Sequence, residues 1–271
     1  MNIKGIILKL MVMSAMLLTL NITAADTLKI GTMFTKTTEA DGMSFAIQKQ
    51  NAQGGIKGYS VEPHFSPACN VENGRTLITE KKVQLLLGVG NAECIEAVGK
   101  LGTEYNILHA CLSSSSSEAI SQQSHPKLIV LPTSDLSLTG DLLDEYKQRY
   151  YGVLPDKSAT RAYHATSIFL KAIEKSDLDL SEEKLEINSA NQIEQRLLDF
   201  RVVRVSHAGF RRQASGEGKK PDADNPIIFV LQKGDKVIEL DKRGDWLEVE
   251  SFLEPTRRGW VHKLLVKRLQ K

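Results

Sequence analysis

Residues 50–70 read QNAQGGIKGYSVEPHFSPACN. Just before them, Glu39–Gln53 carries Met43, Ala46 and Ile47 at helical spacing, with Gln48, Lys49 and Gln50 on the other side, which predicts a helix. Gly54-Gly55 ends it, because a chain leaving a helix often enters left-handed backbone space, which glycine tolerates. Tyr59–Phe65 alternates like a strand, and Cys69 falls on the loop beyond. A helix, a glycine turn and a strand in direct succession form the joint of an α/β fold.

The pattern extends both ways. Leu28–Met33 (LKIGTM) reads as a strand ahead of the first helix. Val71–Lys82 reads as a second helix, Gln84–Gly88 (QLLLG) as a strand apolar enough to be buried on both faces, and Ile95–Thr103 as a third helix. Ile107–Cys111 and Leu128–Leu131 are further strands. This alternation predicts a parallel sheet with helices on both sides. Leu136–Tyr150 and the amphipathic Thr160–Glu174 follow as helices, the latter with Tyr163, Ile168, Leu170 and Ile173 as its apolar members. Residues 177–200 are polar and charge-rich, and read as a linker with a short helix at Gln192–Phe200.

From Arg201 the texture changes. Short β-rich runs are separated by Lys233-Gly234-Asp235, Lys242-Arg243-Gly244-Asp245 and Arg258-Gly259, turn signals that predict a small all-β barrel. The division is 1–25, 26–176, 177–200 and 201–271.

Residues 1–25 hold Lys4 and Lys9, an apolar run from Leu10 to Leu20, and small residues around Thr23, Ala24 and Ala25. This is the layout of a cleaved secretory signal peptide, and the run is short for a membrane span. The expected location is the periplasm. The formal charge of +2 falls to neutrality without Lys4 and Lys9, which argues against nucleic acid as a partner. There are three cysteines, and an odd count in an exported protein suggests one bridge and one spare. Cys69 and Cys94 fall on loop or helix-start positions, whereas Cys111 ends the apolar run ILHAC. The expected bridge is Cys69–Cys94, worth about 3 kcal/mol by loop-closure entropy. No CxxC or HExxH occurs and the six histidines are scattered, so no metal or other cofactor is expected.

Residues 27–120 resemble the first lobe of the Leu/Ile/Val-binding family, the type I periplasmic binding proteins. LKIG, NAQGGIKGYSVEPHFSPACNVENGRT, QLLLGVGNAEC and YNILHACLSSSS carry the resemblance. The family's loop cysteine is bridged in many members to one after the third strand, and Cys69 and Cys94 hold those places. Residues 128–176, with a G-x-x-P-D turn and a Tyr-bearing helix, resemble the family's later return to the first lobe. Only Ala119–Lys127 lies where the family has a second lobe, so the resemblance implies a clamp reduced to one lobe. Residues 201–268 resemble a bacterial SH3-like domain through KGDKVIELDKRGDWLEVES and GWVHKLLV; GFRRQAS departs from that family's early N-x-R-x-G-P. The expected fold class is therefore α/β, a single parallel-sheet lobe, plus a small all-β SH3-like barrel.

The resemblance implies ligand contacts on the loops after the third and fourth strands. These are Asn91 and Ala92, then Ser113, Ser114 and Ser115. The first loop lacks the family's hydroxyl, and Glu93 would repel a carboxylate. The other reading is a solvated turn and cap. In the barrel, Trp246 and Trp260 stand beside turn residues, with Phe210, Phe229 and Phe252, and imply either an aromatic groove for peptide or glycan or core filling. Arg211, Arg212, Lys219, Lys220, Arg257, Arg258, Lys263, Lys267 and Arg268 make the region basic. His64, His109 and His164 have no evident nucleophile, and the serine run lacks a G-x-S-x-G elbow, so no enzyme is expected. The expectation is an exported adaptor. Its lobe serves as an interaction platform, homodimerisation included, and its barrel docks to peptidoglycan or an envelope protein. The alternative is the solute-binding component of an ABC transporter for branched-chain or other amino acids, or another small polar ligand.

Overall fold

The computed structural model describes residues 26–113, 125, 127–131, 137–204, 208–211, 226–252 and 257–268. The expected signal peptide lies outside the described residues, as do Ser114, Ser115, Arg212, Lys219 and Lys220.

The lobe runs β1 (Thr27–Phe34), α1 (Thr37–Ala52), β2 (Ser60–Ser66), α2 (Val71–Thr79), β3 (Leu85–Gly90), α3 (Ala92–Tyr105), β4 (Leu108–Ser113) and β5 (Ile129–Val130). The five strands are parallel in the order β2-β1-β3-β4-β5. β3, LLLGVG, is buried at every position. Leu85, Leu87 and Val89 face one core, while Leu86 faces a second core with Val98 and Leu101 of α3. The first core is completed by α5 (Lys157–Lys175), which packs beside α1. Gly42 allows that approach, since a Cβ there would collide with the Ala159 carbonyl. α4 (Gly140–Arg149) closes over both through Leu142 and Tyr146.

The glycine turn at residues 50–61 has a specific construction. Gly54 and Gly55 have φ of 100° and 77°, and Gly55 N–H donates to the Gln50 carbonyl. Ile56 and Tyr59 exchange two backbone bonds of 2.9 Å around Lys57 and Gly58, which both have positive φ. That is the backbone of a tight hairpin-type turn. The Asn51 side chain then pairs with both backbone groups of Val61 at 2.8 Å, seating β2 against the helix end.

Residues 177–200 are not a solvated linker. Leu178, Leu180, Leu185, Ala190, Ile193 and Leu197 all belong to the first core. Leu185 N–H donates to Gln84 O and its carbonyl accepts from Leu108 N–H, while Gln84 Nε2 donates to Leu180 O and Glu182 O. The apolar residues alternate with acids, so a polar composition conceals a half-buried segment. A 3₁₀ turn (Ile187–Ser189) and α6 (Ala190–Leu197) end it. Phe200, expected in this helix, begins the next strand.

The remaining strands are β6 (Phe200–Val203), β7 (Ala208–Arg211), β8 (Ile227–Leu231), β9 (Lys236–Arg243), β10 (Trp246–Ser251), β11 (Arg258–His262) and β12 (Val266–Arg268). They form an antiparallel sheet in the order β12-β6-β9-β10-β11-β7-β8. Gly234 and Gly244 are turn glycines with positive φ, as their motifs predict. Arg258-Gly259 is not a turn: it opens β11, and Gly259 is needed because a Cβ would sit 2.9 Å from the Arg211 carbonyl. Phe200, Ile238 and Phe252 join the first core of the lobe, so the two sheets share apolar packing.

Candidate functional site

Strand order reverses between β1 and β3, because β1 connects to β2 on one side and β2 crosses to β3 on the other. In open α/β sheets the crevice outside the strand carboxyl ends at such a switch point is where ligands bind. Here the loops after β1 and β3 touch, since a Cβ on Gly90 would lie 2.6 Å from Thr35 Cγ2. Ser113 ends β4 beside Gly90.

Each loop is organised by an internal side chain. Glu39, only 2% exposed, turns back under the loop after β1. Its Oε2 accepts Thr35 N–H, Thr35 Oγ1–H and Lys36 N–H, each at 3.0 Å. Asn91 is the cap of α3 and accepts Cys94 N–H at 3.1 Å; Ala92 is the first residue of that helix. Asp156 caps α5 by accepting Ala159 N–H at 2.7 Å. Lys36 Nζ reaches Ser158 Oγ at 3.5 Å, which brings the start of α5 beside that of α1. Burial, then the nearby Asp156 carboxylate, pushes the Asp41 carboxyl up from its ordinary range. The residues expected as direct contacts on the first loop thus shape a helix terminus. Glu39 organises the crevice without having been singled out in the sequence, although a glutamate three residues after a helix boundary is a capping-box signal.

Cys69 and Cys94 form the expected disulfide, with Cα atoms 5.0 Å apart, and tie the start of α3 to the loop before α2. Cys111 is free and buried, and desolvation pushes its thiol up to about 12. A thiol held protonated is not a nucleophile. His109 is fully buried on β4, its Nδ1 2.9 Å from the Ile107 carbonyl, and burial holds it below the usual imidazole range. Among the described residues no group of three or more His, Cys, Asp or Glu could hold a metal ion, and no helix is long and apolar enough to cross a membrane.

No family model and no curated protein matches the chain. Solved structures do. An ABC transporter substrate-binding protein from Desulfitobacterium hafniense is 13% identical, over 83% of this chain and 100% of that one, with a TM-score of 0.49. The branched-chain amino acid transporter substrate-binding protein LivJ from Streptococcus pneumoniae, solved with isoleucine, is 12% identical over 88% and 100%, with a TM-score of 0.45. A putative branched-chain amino acid ABC transporter from Rhodospirillum rubrum is 10% identical over 78% and 97%, also at 0.45.

Among the described residues, the two tryptophans of the second sheet are largely buried. Trp246 and Trp260 are 7% and 6% exposed. The Arg211 guanidinium lies 5.0 Å from the Trp246 centroid, and that of Arg243 lies 4.9 Å from Trp260. Phe210 stacks on Phe229 at 4.5 Å inside. A peptide seeking either indole face would first have to displace its arginine.

Among the concavities away from the switch point, two border the helices of the lobe. One, of about 780 Å³, sits where α2 and α3 end, floored by Ile78, Val83 and Leu185 and rimmed by acids of residues 177–186. The other, of about 360 Å³, is lined by α1, α4, α5 and Phe252.

Proposed function

We propose that this chain is an exported, non-enzymatic binding protein whose lobe takes a small polar ligand, an amino acid or similar solute, at the β1/β3 switch point. Its role is that of the solute-binding component of an importer, acting in the periplasm. The contact between Thr35 and Gly90 across the strand reversal carries this reading. The starts of α3 and α5 supply amides there, while those of Thr35 and Lys36 ahead of α1 are already bonded to Glu39. The caps of α3 and α5 each engage one amide, of about four that a helix leaves unbonded at its start. The remaining amides at the start of α3 suit an acceptor oxygen of a small polar ligand, with Glu93 in the same turn disfavouring full negative charge. The test is a thermal-shift screen of the chain against the twenty amino acids. A ligand at a hundred times its dissociation constant adds about 2.7 kcal/mol. A shift that Thr35→Val/Ser113→Ala removes supports the reading; no shift with any of them overturns it.

A second reading, an adaptor that uses the lobe as a protein-contact platform, is favoured by one observation. Tyr151, Val153 and Leu154, just ahead of the Asp156 cap, are 99%, 60% and 65% exposed. Clustered apolar side chains in water are characteristic of contact surfaces. In this reading the basic sheet region docks to peptidoglycan or an envelope protein, and two lobes pair through the knob. Sedimentation equilibrium checks the pairing. A micromolar dimer that Tyr151→Ser/Leu154→Ser dissociates would support it, and a monomer would remove it.

A further inference from the structure

We propose that the outer edge of β8 docks an extended segment of a partner protein, apolar along its middle and acidic at its ends. The surface is separate from the switch point and from the Tyr151 knob. It rests on the second reading only in giving the basic sheet a docking role.

The two sheets have four edge strands, β2, β5, β8 and β12. A sheet edge offers a row of open N–H and C=O groups, and proteins commonly block it with charge, proline or shortness. β2 contains Glu62 and Pro63, β5 is two residues long, and β12 has three residues, two of them Lys267 and Arg268. β8, Ile227–Leu231 (IIFVL), has five residues with neither charge nor proline, and its irregularity is a register shift opposite Phe210 and Arg211. Among the described residues it pairs with β7 alone, in antiparallel fashion. Alternate backbone groups on its other side therefore have no strand partner.

The side chains suit an added strand. Phe229 stacks on Phe210 and Leu231 is buried, which anchors β8 from its core face. Ile227, Ile228 and Val230 are instead 46%, 41% and 40% exposed. Val230 stands opposite Gly209, and Ile227 Cδ1 lies 2.9 Å from where a Gly209 Cβ would be. Ile228 Cδ1 lies 3.1 Å from the matching point on Gly259. With no side chain at either glycine, the two isoleucines fold over the sheet, and a strand added outside β8 would pack on them.

Charge chooses the occupant. Residues 201–271 hold 16 Lys and Arg against 10 Asp and Glu, whereas residues 26–200 hold 17 against 23. The surroundings of β8 follow this bias. Arg211 is the register partner of Ile227, exposed Lys233 follows the strand, and Arg257 and Arg258 precede Gly259. The acids nearby are engaged: Asp235 Oδ2 accepts Gln232 N–H at 2.8 Å, and Glu248 Oε1 accepts from Arg258 at 2.9 Å. A second copy paired β8 to β8 would bring two basic margins together, which repels. A lipid surface would suit the aliphatic groups and the charge, but edge N–H groups find no acceptor at hydrocarbon depth. An added strand with acidic ends meets all three demands: backbone pairing, apolar packing and charge.

The test uses the full chain and the end-blocked peptide Glu-Glu-Val-Thr-Val-Thr-Val-Glu-Glu, followed by amide-resolved NMR and calorimetry. Saturable binding tighter than about 1 mM is expected, with shifts centred on β8 and slowed exchange of its outward amides. Ile227→Thr/Val230→Thr, both exposed positions, should weaken it at least about tenfold, and so should lysine in place of every glutamate of the peptide. Tyr151→Ser/Leu154→Ser and Thr35→Val/Ser113→Ala should leave it unchanged, which separates failure here from failure of either functional reading. Absence of saturable binding overturns the inference, as does binding that the Ile227/Val230 pair leaves intact or that the lysine peptide matches. A dimer that the Ile227/Val230 pair dissociates would assign the edge to a second copy. Capture by phosphatidylglycerol vesicles, lost in the same pair, would assign it to a membrane. Either result overturns the inference as well.

Discussion

Lys236 Nζ lies 5.8 Å from the centre of the Phe252 ring and has no hydrogen-bond partner. The residue is 5% exposed, and desolvation holds its amine well below the usual lysine range. Among the described residues its compensation is the ring face, at a place where the second sheet joins the lobe's core.

Replacing Lys236 by Met should therefore stabilise the chain. An unsatisfied buried polar group costs about 1–3 kcal/mol by mutational data, and Met preserves the aliphatic stem. The pH dependence has a definite sign. The folded amine titrates below the unfolded one, so the unfolded state binds more protons between the two values, and stability rises with pH across that window. The window's upper edge is the ordinary lysine value of 10.5. Urea denaturation at neutral pH and near pH 9.5 checks both points. The wild type should gain through this residue, and Lys236→Met should lose that slope. Equal stability of the two proteins at neutral pH would mean that the amine finds a partner.

The glycine turn gives a paired prediction. Gly54 and Gly55 both have positive φ, but a Cβ on Gly54 would meet nothing within 4 Å, whereas one on Gly55 would collide with the Tyr59 carbonyl. Gly54→Ala should cost about 1–2 kcal/mol, the ordinary penalty for left-handed backbone in an L-residue. Gly55→Ala must also move β2 and should cost more. Asn51→Ala leaves two Val61 backbone groups without their partner and should cost about 1–3 kcal/mol. Equal costs for the two glycine variants in chemical denaturation would refute the collision.

The lobe is legible in the sequence because β3 is a continuous apolar run, β2 alternates, and Gly54-Gly55 marks the helix end ahead of β2. Residues 177–200 are harder to read. Leu178 and Leu180 alternate with aspartates, and composition over such a stretch indicates solvent while a two-residue period indicates a face. Trp246 and Trp260 are hard to read for another reason. Tryptophan beside a turn looks available, but each indole, on the sheet face opposite the Leu247 and Val261 core, carries an arginine over its ring. The switch-point crevice follows from strand order alone. Glu39 is harder to place because the sequence reads the helix as starting at it, whereas the helix starts at Thr37 and Glu39 is its third residue, from which a carboxylate turns back on the preceding loop.

The cysteines give a counting experiment. Buried Cys111, with its thiol pushed up to about 12, should not react with a thiol reagent in the native chain at pH 8. Denaturant without reductant should reveal one thiol, and reductant two more. Reducing Cys69–Cys94, which closes 25 residues, should remove about 3 kcal/mol of stability. A native thiol that reacts at once would show that β4 opens readily.

Glu39 offers the most direct probe of the crevice. Its Oε2 accepts three hydrogen bonds from Thr35 and Lys36, so Glu39→Ala leaves two backbone amides and a hydroxyl without an acceptor. The loss should be about 1–3 kcal/mol. The vacated position is the start of α1, where amides and the helix dipole favour an anion. Sulfate should therefore raise the melting temperature of Glu39→Ala more than that of the wild type, at ionic strength matched with sodium chloride. Glu39→Gln keeps an acceptor oxygen but no charge, and should fall between the two in stability with a smaller sulfate response. If Glu39→Ala is as stable as the wild type, the loop after β1 is held by something other than this carboxylate. If it is less stable but indifferent to sulfate, the amides close on themselves when Glu39 is removed, and the start of α1 holds no anion other than its own carboxylate.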